Sequence, residues 1–204
     1  QYKHIMKAKT SRTLIMSMLG AALLALAAAS SARAAAPKFY FRVGEVKAGP
    51  ELDATLKAYA ATALKDDLAS RPEWASDVGT TDPEALVAEL KRRNLRGFSV
   101  TVGFEHLTKE VKEPSPGARH KRVALDVKLS VFGTTIPEEK LSFSGDGESG
   151  VEAEVSDKGM DAEVSSMAKD AIKDAVKQAV DQAVLKLSIG KSGPMNEKHG
   201  KKKK

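Results

Sequence analysis

The sequence predicts an α+β fold: a two-layer domain with helices, one of them long and C-terminal, packed on one face of a mainly antiparallel sheet of four to five strands. Three observations predict it. Apolar residues alternate with a period of two over 98–107 and 122–132. They recur at spacings of three and four over 164–187. One more alternating run precedes the first helical pattern, so a helical crossover must return it to the sheet.

The elements follow in order. In "FYFRVGEV" (39–46), Phe39, Phe41 and Val43 alternate with Tyr40 and Arg42, as in a half-buried strand. After the "AGP" break, Leu52, Leu56, Tyr59, Ala60, Ala63 and Leu64 share one helical face that ends near Ser70, before Pro72. "SRPEWASDVGTT" (70–81) reads as a polar loop. A shorter helix opens with Asp82 as N-cap and Pro83 at its first position, buries Leu86, Val87 and Leu90, and stops at Asn94 or Gly97. The runs at 98–107 and 122–132 pair as a long antiparallel hairpin across the turn-rich "KEPSPGARHK" (112–121). "KLSFSG" (140–145) extends the meander, with "GVEAEV" (150–155) as its continuation or as another strand. Between them, "SGDGESG" (144–150) reads as a flexible turn in which Asp-Gly supplies a positive backbone angle; it lacks the alternating acids and distant glutamate of a calcium loop.

The last helix carries a broad stripe of Val164, Met167, Ala168, Ala171, Ile172, Ala175, Val176, Ala179, Val180, Ala183, Val184 and Leu187. Membrane, a second copy and the protein's own sheet are the three possible covers. A membrane-surface helix carries bulky residues below and excess cations above. This one has small residues below, and above them Lys169, Lys173, Lys177 and Lys186 beside Asp170, Asp174 and Asp181. Alanine and valine permit close backbone approach, which favours the sheet.

At the amino end, Lys3, Lys7, Lys9 and Arg12 precede an uncharged run from Thr13 to Ala32, and no acid appears before Glu45. This pattern matches a secretory signal peptide cut after Ala34 or Ala36; a retained anchor is the alternative, because the run approaches the ~20 residues that span a bilayer. Residues 1–36 are therefore expected to be leader and upstream residues, 37–189 a single domain, and 190–204 a disordered lysine-rich tail. Export points to a periplasmic or secreted protein. With no cysteine there is neither a disulfide framework nor a lipid-bearing cysteine. The formal charge of +6 arises at the ends, since residues 35–190 hold 22 basic and 26 acidic residues. A nucleic-acid module carries its bases on the folded body, so that class is not expected.

Catalytic, metal and cofactor motifs are not found. His106 and His120 have no metal-ligand spacing, "GKSG" (190–193) lacks the earlier glycine of a phosphate loop, and there is no G-x-S-x-G elbow. Lys91, Arg92, Arg93 and Arg96 close a helix, where cations meet the carbonyl end of the dipole. Three candidate contact sites remain. Trp74, the single tryptophan, either tucks over the core or anchors a partner. Arg119, His120, Lys121 and Arg122 form a hairpin-tip charge run, either protecting an edge or touching an anionic partner group. Lys201, Lys202, Lys203 and Lys204 either solubilise the end or tether it to anionic envelope polymer or lipid headgroups.

The order strand, two helices, strand meander and long terminal helix, over about residues 38–187, resembles small bacterial envelope domains. These are the amino-terminal domain of the Tol translocation protein, the periplasmic domain of the curli secretion channel, and the lipoproteins that activate penicillin-binding proteins. The resemblance implies an accessory that binds an envelope protein rather than an enzyme; the alternative is a surface-associated structural protein held by the lysine tail.

Overall fold

A computed structural model describes residues 36–49, 52–112, 120–156 and 158–189. The expected leader, residue Arg119 of the hairpin tip and the lysine tail lie outside them. In chain order the elements are β1 (Phe39–Val43), α1 (Ala54–Ala69), β2 (Trp74–Ala75), α2 (Pro83–Arg92), β3 (Arg96–Lys112), β4 (His120–Thr135), β5 (Leu141–Ser156) and α3 (Met160–Ile189). The strands form one mixed sheet in the order β2-β1-β3-β4-β5. β1 runs parallel to β2 and β3, whereas the longer β3–β4 and β4–β5 pairings are antiparallel. The sequence therefore foretells the α+β class and the crossover that carries β1 back beside β3.

Alternation decides what each face buries. Phe98, Val100 and Val102 of β3 and Val123, Leu125, Val127, Leu129 and Val131 of β4 are all 2 % exposed or less, and α1 and α3 close over them. The α3 stripe from Met167 to Leu187 is buried against the sheet, so neither lipid nor a second copy is its cover. Asp53 caps α1 by accepting the Leu56 N–H at 2.8 Å, and Asp82 caps α2 by accepting the Ala85 N–H at 2.8 Å. Arg71, at the end of α1, joins the two covering helices by pairing with Asp67 at 2.8 Å and Asp181 of α3 at 2.6 Å.

Three expectations are corrected. The stretch 144–150 is not a turn: β5 runs through it without a break. A Cβ on Gly145 would stand 2.0 Å from the Ala179 carbonyl oxygen, and one on Gly147 1.9 Å from that of Ala175. These glycines let the backbone of α3 lie directly on the strand. Second, the helices do not all share one face. Tyr40 points away from Phe39 and Phe41, and it is buried in a separate small core with Val78, Leu86 and Leu90, packed against Leu95 and Ile136. α2 thus covers the opposite face at the β1 end. Third, Trp74 does not sit in a loop; it pairs with Phe39 in a parallel ladder and is only 5 % exposed.

Candidate functional site

The expected contact residues separate in space. Trp74 is removed as a partner anchor because its ring is inside an aromatic cluster, 5.0 Å from Phe39, 5.8 Å from Phe98 and 6.1 Å from Phe41 and Phe143. Among the described residues its Nε1 donor has no hydrogen-bond partner. His120, Lys121 and Arg122 open β4 rather than forming a loop. Arg122 is held by Glu152 across the sheet at 2.7 Å, with Lys112 3.7 Å from the same carboxylate. That arrangement is a surface charge ladder on a hairpin.

Farther along the same face, Ser130 is the one buried polar side chain among the described residues. Its hydroxyl lies 3.0 Å from Glu105 and 2.8 Å from Asp146, and Lys128 is 2.8 Å from Glu105. The Lys128 hydrogen bond, and then that of Ser130, hold the Glu105 carboxyl below its usual range. His106 is on the neighbouring strand position, paired with Lys128 in register, but makes no hydrogen bond to Ser130. The network ties β3, β4 and β5 together through the Ser130 hydroxyl and its two carboxylate partners. Among the described residues, no three His, Asp or Glu side chains cluster as a metal site requires.

A concave site lies where α2 meets the open sheet face and the β4–β5 turn. One lobe, about 330 Å³, is walled by Pro83, Leu86, Val87, Ile136 and Pro137 and floored by Arg42, Ser99 and Thr134. A second, about 250 Å³, shares Val87, Ile136 and Pro137 and extends along Leu90, Lys91, Leu95 and Arg96. Register builds the floor: Arg42 of β1 pairs with Ser99 of β3, which pairs with Thr134 of β4. The next row, Tyr40 and Gly97, supports Ile136, whose N–H donates to the Gly97 carbonyl at 2.9 Å. Burial raises the Tyr40 pKa, and the Arg42 charge pulls part of that back.

The cationic end of α2 is occupied structurally. Arg92 and Arg93 both grip Glu89, and Arg93 also donates to the Val78 carbonyl at 3.2 Å. Hydrogen bonds from Arg92 and then Arg93 lower the Glu89 carboxyl from 4.5 to about 2. The groove between α1 and α3 is roomier, about 520 Å³, but is lined by charges of both signs, among them Asp66, Asp67, Lys173 and Lys177.

No family model matches this sequence, and no curated protein does. Solved structures resemble it in fold at low identity. A minor lipoprotein from Acinetobacter baumannii is 9 % identical, with a TM-score of 0.41 over 78 % of this chain and 99 % of that one. A protein assigned as a neuraminyllactose-binding hemagglutinin homolog from Helicobacter pylori is 9 % identical, with a TM-score of 0.43 over 68 % and 83 %. A protein assigned as a lipoprotein from Caulobacter crescentus is 11 % identical, with a TM-score of 0.40 over 73 % and 92 %. Likenesses at this level carry no argument about activity, and they do not establish the three families that the element order resembles.

Sequence reasoning missed the cleft. Its floor and walls come from β1, β3, β4, α2 and the β4–β5 turn, which only the strand register brings together. The signals available were the outward position of Arg42 in "FYFRV" and the Ile136–Pro137 pair before two glutamates.

Proposed function

We propose that the chain is an exported, non-enzymatic accessory of a bacterial envelope that works by holding a partner protein at the cleft between α2 and Pro137. One observation carries the reading. The apolar side of the sheet is closed by α1 and α3, whereas the opposite side ends in a concave surface with apolar walls, a hydroxyl floor and one exposed guanidinium. Apolar concavities with a few placed polar groups are the ordinary form of a recognition site. Support for export comes from the basic, apolar and small-residue order of residues 3–36. Among the described residues no helix is long and apolar enough to cross a membrane.

A photo-cross-linker in place of Val87 in the full chain tests the reading in producing cells. A discrete protein adduct in the envelope fraction is expected, and no matching adduct from a cross-linker at Lys173 in the α1–α3 groove. Failure at Val87, or equal capture at both positions, removes the cleft as the contact surface. Deleting 190–204 should leave the adduct in place; loss with that deletion favours tethering by Lys201–Lys204 instead.

A further inference from the structure

Resting on the reading of the cleft as the partner-contact surface, we propose that it takes the carboxyl-terminal end of a partner chain. The apolar last side chain sits between Val87, Ile136 and Pro137, and the free carboxylate meets Arg42. Arg42 is exposed, and among the described residues its guanidinium has neither a hydrogen bond nor an ion pair. It stands in one cross-strand row with Ser99 and Thr134, whose hydroxyl donates to the Ser99 carbonyl at 3.4 Å, so a planar donor fork lies beside an apolar wall. Arg42 is the one cation of the 330 Å³ lobe, with Glu139 at its turn side; Lys91 and Glu138 line the second lobe, and the Arg96 guanidinium lies over the Phe98 ring at 5.4 Å. A volume of about 330 Å³ holds one or two side chains rather than a helix.

The experiment titrates the full chain, isotopically labelled, with a five-residue acetylated peptide ending in leucine and valine, once as the free acid and once as the amide. The acid should shift the amide resonances of Arg42, Val87, Ser99 and Ile136 and bind about tenfold more tightly than the amide, as loss of a charge-assisted hydrogen bond requires. Arg42→Gln, an exposed change that leaves the core intact, should erase that difference; Val87→Gln should weaken acid and amide together. Equal binding of acid and amide, or shifts mapping elsewhere, overturns the proposal. So does movement of the same resonances when 190–204 is deleted from the peptide-free chain, because the occupant is then the protein's own tail. If Val87 still cross-links a partner while acid and amide bind alike, only the chain-end inference falls. If neither occurs, both readings fall.

Discussion

Two glycines and one tryptophan show how single residues set this fold. Gly147→Ala drives a methyl into the Ala175 carbonyl, which is backbone and cannot step aside, so urea unfolding should show a loss of about 3 kcal/mol. At Gly150 the nearest obstacle is the end of the Asp126 side chain, 2.8 Å from an added Cβ, and Gly150→Ala should change stability by less than about 0.5 kcal/mol. Equal effects would mean that α3 does not rest on the strand through these positions. Trp74→Ala should cost about 4 kcal/mol by opening a cavity among Phe39, Phe98 and Phe143. Trp74→Phe should cost clearly less, since it discards a buried N–H that has no acceptor. The pH response follows Glu89. Its folded carboxyl titrates near 2 against an ordinary 4.5, so its contribution is fully present above 4.5 and disappears as the pH falls toward 2. A carbon-detected NMR titration should place that midpoint near 2, and Arg92→Gln with Arg93→Gln should return it upward.

Among the helices, α3 packs most extensively, and its chief partner is β5. Ala175 is fully buried with its carbonyl over Gly147, so Ala175→Leu should destabilise by about 2 kcal/mol, whereas the exposed Lys173→Ala should not register in the same unfolding experiment. Period alone was enough to read β3, β4 and the α3 stripe, because each repeats its pattern over several turns or pleats, and the Asp82-Pro83 pair marked the start of α2. Where the reason for a residue lies in another element, local rules misled. Asp-Gly signals a turn, and only the approach of α3 explains why glycine stands in the middle of β5. β2 has two residues, too few to display any alternation, so Trp74 looked like a loop aromatic. Tyr40 reads as outward-facing until α2 is known to lie over it.

At the scale of the whole molecule, the two faces of the sheet carry cores of unequal size. The larger core joins every strand with α1 and α3, and the smaller one under α2 shares β1 with it. Unfolding should therefore be a single transition, with Trp74 fluorescence and far-ultraviolet circular dichroism giving coincident curves. Separated midpoints would show that the α2 cluster opens independently. The cleft was illegible in the sequence because Arg42, Val87, Ser99 and Ile136 come from four separate segments and no motif binds them.

The seating of α3 also fixes a sequence of events. A chain emerging amino terminus first leaves the valine and leucine rows of β4 without their main cover until residues 160–189 have followed. The larger core is thus completed by the last helix to appear, and the apolar face of the sheet stays open until that helix has emerged. Products truncated before Met160 should clump rather than fold.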